Sequence, residues 1–178
     1  MPEKPVVSLV IPFYNEGSAV EAFFDAIYGV IATLGEMKFE IVCVDDGSKD
    51  GTLTHLLAAS QSDARVKVIE LSRNFGKEAA LLAGLDHARR GAALFMDGDG
   101  QHPPTLIETL VARWLDDGYD VVYTAKAHRE NEPWLRRTGV RWFYALINFG
   151  QRQRIPEDAG DFRLLSPRAA AALRQMPE

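Results

Sequence analysis

Two aspartates separated by a single glycine are the residues of this 178-residue chain best suited to chemistry. Asp97 and Asp99 follow an apolar run, and alternate residues leaving a strand can both turn toward one hard cation, with the amide of Gln101 two residues further on. Oxygen-only ligands favour Mg²⁺ or Mn²⁺, and so few protein ligands leave coordination positions free for phosphate oxygens. Gly98 and Gly100 allow the backbone to approach a ligand closely. The alternative is an ordinary turn with two solvated aspartates, because Asp-Gly pairs are common turn formers.

The same segment matches only part of a calcium-binding EF-hand loop. Its oxygen-bearing residues fall at loop positions 1, 3, 5 and 12, but position 6 is His102 instead of glycine. Pro103 and Pro104 then follow a predicted strand instead of joining two helices, so an EF-hand is excluded. A zinc site is excluded as well, because the histidines are scattered without an HExxH spacing. They are His55, His87, His102 and His128.

A second acidic segment, Asp45-Asp46-Gly47-Ser48, follows another apolar run. In a binding site, one of its carboxylates would accept hydrogen bonds from a nucleotide base or from ribose hydroxyls. The alternative is a turn that leads into a helix capped near Asp50. Two nucleotide-binding motifs are absent from the sequence: no GxGxxG follows the first strand, and no GxxxxGK[ST] occurs.

Alternating strands and helices must position these residues. Short apolar, β-branched runs predict strands at residues 6–11, 40–44, 66–71, 92–96 and 120–124. Apolar residues at i, i+3 and i+4 spacing predict helices at residues 18–34, 52–60, 77–89 and 103–115. The last of these opens with two prolines suited to a first helical turn. The pattern predicts an α/β fold: a Rossmann-like, mostly parallel sheet with helices on both faces.

The pattern changes beyond Ala125. Residues 134–149 are predicted to form an aromatic-rich helix that lies either in the core or partly at a membrane interface. Residues 158–165 are predicted to be irregular or strand-like, and Ser166 with Pro167 is expected to cap a last helix.

Polar residues collect where the predicted strands end. Ligands of open α/β sheets bind outside the carboxyl ends of the strands. Four successive strand ends carry carboxylate, amide or cationic side chains: residues 12–16, 45–48, 72–77 and 97–101. A solvated loop would explain any one of them, but all four together predict a binding site at this edge of the sheet.

Composition excludes several classes of protein. A hydrophobic content of 47% and a single cysteine exclude disorder and a disulfide scaffold, and no apolar stretch is long enough for a membrane-spanning helix. The net charge of −5 argues against nucleic-acid binding. This charge is unevenly distributed: residues 1–125 carry 10 basic and 19 acidic residues, whereas residues 126–178 carry 10 basic, nine of them arginine, and 6 acidic. The arginines form either a solvated helix face or a surface for phosphates and anionic lipid headgroups.

Five segments together resemble family 2 glycosyltransferases with the GT-A fold. They are residues 7–16 (VSLVIPFYNE), 44–48 (VDDGS), 72–78 (SRNFGKE), 96–103 (MDGDGQHP) and 160–164 (GDFRL). The third and fifth segments are similar to the polyprenyl-phosphate glycosyltransferases within that family. The resemblance covers roughly residues 6–176.

The resemblance implies a role for individual residues. Those implied to bind the nucleotide are Pro12, Tyr14, Glu16, Val44 and Asp46. Those implied at the metal–diphosphate motif are Asp97, Gly98 and Asp99, with Asp99 and Gln101 as direct ligands of Mg²⁺ or Mn²⁺. Arg129 and Arg136 are implied to contact donor phosphates. Asp161 and Arg163 are implied to lie near the acceptor. Asp161 is also implied to act in catalysis, together with Asp97 and Asp99.

The implied reaction is inverting transfer of a hexose from a UDP- or GDP-sugar to a polyprenyl phosphate. Because a phosphate monoester is largely ionised at pH 7, we expect Asp161 to position the acceptor or an arginine instead of removing a proton. The alternatives are a family 2 transferase acting on a sugar hydroxyl, which needs a base, and a catalytically silent nucleotide-sugar-binding module. A haloacid-dehalogenase phosphatase is disfavoured, since its Asp-x-Asp ends the first strand instead of the fourth.

The resemblance also implies an organisation and a location. We expect residues 1–178 to form a single catalytic domain that stops before carboxy-terminal membrane-associated segments. We expect it to work at the cytoplasmic side of the plasma membrane, in contact with the membrane surface, and a homo-oligomer is left open.

Overall fold

Six strands form one sheet in the computed structural model, which describes residues 4–35, 37–100, 103–125 and 159–176. The strands are β1 (Val6–Phe13), β2 (Lys38–Asp45), β3 (Val66–Glu70), β4 (Ala92–Phe95), β5 (Val121–Ala125) and β6 (Ala159–Leu165). Their order across the sheet is β3-β2-β1-β4-β6-β5. The first four are mutually parallel, and β6 runs antiparallel to both of its neighbours.

The helices alternate with the strands, as the sequence predicts. They are α1 (Val20–Thr33), α2 (Thr52–Ser62), α3 (Lys77–His87), α4 (Leu106–Asp117) and α5 (Pro167–Arg174). From β1 the chain moves outward to β2 and β3, and it then crosses back to place β4 on the other side of β1. Because the strand order reverses at β1, a crevice is expected between the loops that follow β1 and β4.

The side chains of β1 alternate between two hydrophobic clusters. Ile11 packs into the cluster that also contains Phe23 and Ile27 of α1, together with buried residues of α2 and α4. Val10 packs on the opposite face with Leu81 of α3 and a residue of α5. The prediction of helices on both faces is therefore confirmed. The period of two along a strand is the physical reason that adjacent residues supply separate cores.

Two boundaries need comment. The helix predicted from Pro103 begins at Leu106, because the carbonyls of Pro103 and Pro104 accept hydrogen bonds from the amides three residues later and form a tight turn before it. The cap at Ser166 is confirmed: its Oγ accepts the N–H of Ala169 at 3.2 Å, and Pro167 follows as the first helical residue.

The carboxy-terminal predictions are only partly covered. The strand-like stretch is confirmed as β6, whereas the aromatic helix predicted at residues 134–149 lies outside the described residues. Within the described part of the chain, none of the helices combines the length and apolar character needed to cross a bilayer.

Candidate functional site

A cavity of about 330 Å³ opens at the carboxyl ends of β1 to β4. Each of the four strand ends that the sequence singles out contributes to its wall. The lining residues are Pro12, Phe13, Tyr14, Glu16, Asp46, Asn74, Gly76, Lys77, Asp97 and Asp99. The structure thus brings together residues that are up to 87 positions apart, at the crevice expected from the strand order.

The loop after β1 is held by the loop after β2. Asn15 adopts a left-handed conformation, with φ of 55°, and its backbone N–H donates to Oγ of Ser48 at 3.0 Å. In return, Oδ1 of Asn15 accepts the backbone N–H of Lys49 at 2.8 Å. Asparagine tolerates this backbone conformation better than most residues. The interlock fixes the chain on both sides of Asn15, where Tyr14 and Glu16 face the cavity.

The start of α2 completes this interlock. The backbone N–H of Glu16 donates to Oγ1 of Thr52 at 2.9 Å, and that of Gly17 donates to Oδ2 of Asp50 at 3.0 Å. Oδ1 of Asp50 also accepts the backbone N–H of Thr52 at 2.9 Å. Gly51 is the N-cap residue of α2 and has no side chain to cap it, so Asp50, one residue earlier, accepts the amide of the first helical residue; the same carboxylate also positions the β1–α1 loop.

Asp46 binds the backbone of the loop that leads into α3. Its Oδ1 accepts the N–H of Phe75 at 2.7 Å and its Oδ2 accepts the N–H of Gly76 at 2.9 Å, and the residue is only 3% exposed. Gly47 beside it has φ of +69°, and a Cβ there would lie 2.5 Å from the carbonyl carbon of Arg73. Asp46 thus holds this loop against the cavity, and its remaining lone pairs are what a ligand would contact.

Asp97 forms an ion pair across the cavity with the first residue of α3. Nζ of Lys77 lies 2.6 Å from Oδ1 of Asp97, and their side chains are 35% and 21% exposed. Asp99 is exposed at the mouth, while Gly98 between the two aspartates is buried against the ring of Phe13. The two aspartates therefore leave β4 on a backbone that is held by packing.

Glu16 experiences the excess negative charge of this cavity. Burial, followed by the charges of Asp99, Asp97 and Asp50, raises the pKa of Glu16 to about 7, although Lys77 acts in the opposite direction. Among the described residues, Oε2 of Glu16 is a buried oxygen without a hydrogen-bond partner. A site in which carboxylates repel one another in this way has the electrostatics that a divalent cation would relieve.

The donor set also fits a hard cation. Asp97 and Asp99 supply carboxylate oxygens, the ligands that Mg²⁺ and Mn²⁺ prefer. Within the described ranges, no three His, Cys, Asp or Glu side chains converge to hold a metal by themselves. The further proposed ligand, Gln101, lies outside the described residues.

Several predicted residues do not face the cavity or cannot be located. Val44 is fully buried, and a Cβ on Gly84 of α3 would lie 3.0 Å from its Cγ2, so its side chain contributes to sheet–helix packing. Arg129 and Arg136 lie outside the described residues. Asp161 lies in β6, and only its backbone is described.

The register of β6 indicates where Asp161 lies. Arg163 pairs with Phe95 in antiparallel orientation, so residues before Arg163 extend toward the end of the sheet where Asp97 leaves β4. The guanidinium carbon Cζ of Arg163 lies 5.6 Å from the centroid of the Phe95 ring. Its Nη2 lies 3.9 Å from Oε2 of Glu78. The backbone of Asp161 therefore lies toward the end of the sheet at which the cavity opens.

Sequence reasoning did not assign a role to Lys77, Asn74, Gly76 or Phe13, which also line the cavity. The available signal was the run of residues 72–77 at the end of β3, which contains amide and cationic side chains. What the sequence did not indicate is that Lys77 pairs with Asp97.

The chain is similar to known proteins over most of its length. The model of glycosyl transferase family 2 matches residues 8–174. The chain is 42% identical, over 97% of its length, to an uncharacterised glycosyltransferase of Synechocystis sp., of which it covers 54%. It is 38% identical, again over 97% of its length, to the bactoprenol glucosyl transferase of Shigella phage SfV, of which it covers 55%. The chain thus spans about half the length of the curated relatives it matches.

Solved structures share the fold at lower identity. The mannosyltransferase PcManGT of Pyrobaculum calidifontis, in complex with GDP-Man and Mn²⁺, matches 99% of this chain with 21% identity and a TM-score of 0.67, and 48% of that chain is covered. Glucosyl-3-phosphoglycerate synthase of Mycobacterium tuberculosis, in complex with UDP, matches 92% of this chain with 20% identity and a TM-score of 0.64, and 57% of that chain is covered. The predicted GT-A fold is confirmed.

Proposed function

The chain belongs to glycosyl transferase family 2, and from this premise we propose that residues 1–178 are the catalytic domain of an enzyme that transfers a hexose to a polyprenyl phosphate. The donor is a UDP- or GDP-sugar, and the anomeric configuration is inverted. The observation that carries the proposal is the cavity where Asp97 and Asp99 face Tyr14, Glu16 and the β3–α3 loop.

The donor half of the proposal rests on how the cavity is built. Tyr14 is 42% exposed and presents an aromatic ring at the cavity wall, which suits stacking against a base. Asp46 and Glu16 offer oxygen acceptors to base N–H groups or ribose hydroxyls. Two structural relatives carry GDP-Man and UDP in their crystals. These observations support a nucleotide-sugar donor, and the binding screen described below identifies its base.

The diphosphate would lie beside Asp97 and Asp99. When Mg²⁺ or Mn²⁺ is bound there, it neutralises the charge that develops on the departing nucleoside diphosphate. Asp97, Asp99 and Gln101 would hold the cation, and Arg129 and Arg136 would contact the phosphate oxygens. The attraction of the phosphate oxygens to the cation and to the two arginines would grow as the leaving group gains charge, so it would stabilise the transition state more than the bound donor.

The acceptor half rests on the relatives. A bactoprenol glucosyl transferase is 38% identical to this chain, and bactoprenol in that name denotes a lipid carrier. A phosphate monoester with a second pKa of about 6 already attacks as an anion at pH 7. Asp161 therefore positions the acceptor or an arginine, and the carboxy-terminal arginines meet the phosphate at the cytoplasmic face of the membrane.

The first test is a binding screen. UDP-glucose, UDP-galactose, GDP-mannose and the free nucleotides are added to the chain with Mn²⁺ or Mg²⁺, and thermal unfolding is followed. A matching donor at 100 times its Kd should stabilise the fold by about 2.7 kcal/mol. The Asp99→Ala variant should lose most of this shift. If no nucleotide shifts the wild-type transition with either metal, the proposed donor class is wrong.

The second test addresses the acceptor. The full-length protein in liposomes with undecaprenyl phosphate should transfer labelled sugar to lipid, and Asp161→Asn should raise KM for the lipid more than it lowers kcat. A loss of turnover with both substrates still bound would instead identify Asp161 as a general base. Transfer to a sugar hydroxyl, with none to undecaprenyl phosphate, would favour the alternative acceptor, which needs a base. Donor binding without transfer to either acceptor would favour a silent binding module.

A further inference from the structure

Lys77 enters the cavity on a backbone that is fixed at its first turn. It is the first residue of α3, and the preceding Gly76 has φ of 95° and donates its N–H to Asp46 at 2.9 Å. From this position Nζ reaches Oδ1 of Asp97, which lines the same cavity, at 2.6 Å. The anchoring defines where the ammonium group can reach through the four-carbon side chain, which has several rotatable bonds.

Lys77 is the one cation among the described residues that line the cavity, beside four carboxylates. Asp46 is compensated by two backbone N–H groups, whereas the ammonium of Lys77 pairs with Asp97 and its charge also acts on Glu16. Its partner Asp97 belongs to the segment that fits a divalent cation. The ammonium therefore supplies part of the positive charge that a metal bound beside Asp97 would supply.

We propose that Lys77 is an internal counter-cation that pairs with Asp97 while the site lacks metal and moves to the donor's diphosphate when metal and nucleotide bind. Its consequence is cooperativity: Lys77 weakens metal binding in the absence of nucleotide and strengthens nucleotide binding in the presence of metal. The nucleotide half of this inference rests on the proposed function, whereas the metal half does not.

The exposure of the pair makes the exchange feasible. Side chains that are 35% and 21% exposed form an ion pair that is partly screened by water, so breaking it costs little. A divalent cation interacts with a carboxylate more strongly than a monovalent ammonium does, because it has twice the charge. A displaced lysine needs a new anion, and a flexible ammonium is well suited to a diphosphate as a point charge.

The test measures binding, without turnover. Mn²⁺ affinity is determined by electron paramagnetic resonance with and without UDP or GDP, for the wild type and for Lys77→Met. Without nucleotide, Lys77→Met should bind Mn²⁺ about fivefold more tightly, because the competing ammonium is gone. With Mn²⁺ present, it should bind the nucleotide about tenfold more weakly. The factor by which nucleotide improves Mn²⁺ affinity should fall accordingly.

Two variants separate the role of Lys77 from general charge effects. Lys77→Arg keeps the cation and should retain most of the wild-type coupling. Lys49→Met removes an exposed lysine from the same edge of the sheet and should leave both affinities within about twofold of the wild type, since exposed charges are screened. Thermal unfolding in EDTA verifies that each variant is folded.

The outcomes are distinguishable. Unchanged or weaker Mn²⁺ binding by folded Lys77→Met overturns the inference, because the ion pair then does not compete with the metal. Tighter Mn²⁺ binding with undiminished nucleotide affinity overturns the proposed move to the diphosphate. If wild-type protein binds neither UDP nor GDP at any Mn²⁺ concentration, the proposed function fails, and the Mn²⁺ comparison alone still decides whether Lys77 occupies the metal position.

Discussion

Gly98 lies against the ring of Phe13 so closely that a Cβ on the glycine would be 2.3 Å from Cε1 of the ring. Phe13 is 1% exposed and packs edge-on against Phe23 of α1, with ring centroids 5.5 Å apart. The segment that carries Asp97 and Asp99 is thereby seated on the end of β1. This contact couples the position of the two aspartates to the hydrophobic core.

Gly98→Ala should consequently damage both stability and the site. The added methyl has to displace either the Phe13 ring or the aspartate segment, and overpacking of this kind costs about 1–3 kcal/mol. Denaturant unfolding measures the loss, and nucleotide titration with Mn²⁺ measures the effect on binding. Gly29→Ala is the control, because its Cβ on α1 meets nothing within 4 Å and should leave the protein as stable or more stable. Equal behaviour of the two variants would contradict the packing argument.

Asp46→Asn should release the loop that leads into α3. An amide offers one oxygen where the carboxylate offers two, so either the Phe75 or the Gly76 N–H loses its acceptor, at a cost of about 1–3 kcal/mol. Faster trypsin cleavage after the exposed Arg73 would report the release.

The control for Asp46→Asn is Asp117→Asn, which removes only the surface i,i+4 pair with Arg113. That change should cost about 0.5 kcal/mol or less. An unchanged cleavage rate in Asp46→Asn would mean that the loop is held by other contacts.

Glu16 should make the metal-free protein less stable as pH rises. Its pKa is raised from 4.5 to about 7 in the folded state, so between these values the folded protein holds a proton that the unfolded chain has released. Stability therefore falls with increasing pH across this window, by about 1–3 kcal/mol after allowance for solvent screening. Glu16→Gln should lack this contribution. Unfolding in EDTA from pH 4.5 to 7.5 tests it, and parallel profiles for the two proteins would refute it.

Glu40 lies at the other end of the sheet and should make the protein more stable as pH rises, opposite to the effect of Glu16. Burial raises its pKa, but the ion pair with Lys67 and the hydrogen bonds donated by Arg89 N–H and Ser8 Oγ outweigh burial and hold the pKa below 4.5. A lowered folded pKa contributes stability above the unfolded value, and this contribution disappears as pH falls through the folded one.

Glu40→Gln should therefore cost about 1–3 kcal/mol at pH 7, where the charged carboxylate is replaced by an amide that accepts fewer hydrogen bonds. The difference from the wild type should shrink in acid, as the wild-type carboxyl is protonated. Urea unfolding at pH 7 and at pH 3 provides the comparison. A difference that grows toward low pH would contradict the assigned partners.

Sequence patterns alone predicted much of the fold. Strand and helix periodicities depend on residues that are near one another in the chain, so β1 to β4 and α1 to α4 were predicted close to their observed bounds. The glycine at residue 98 and the carboxylates around it could likewise be recognised. Helix α4 begins three residues later than predicted, because two successive prolines form a turn of their own before Leu106.

The sequence determined which residues follow the strands and so lie together at one edge of the sheet, because the carboxyl ends of parallel strands meet there in any α/β sheet of this kind. Tertiary structure alone decided what those residues do to one another. Asp46 was expected to accept hydrogen bonds from a nucleotide, and it also accepts the backbone N–H groups of Phe75 and Gly76, while Lys77 reaches Asp97 at the same cavity. Such contacts join residues 20 or more positions apart, so they depend on strand order and on register, which local periodicity does not encode.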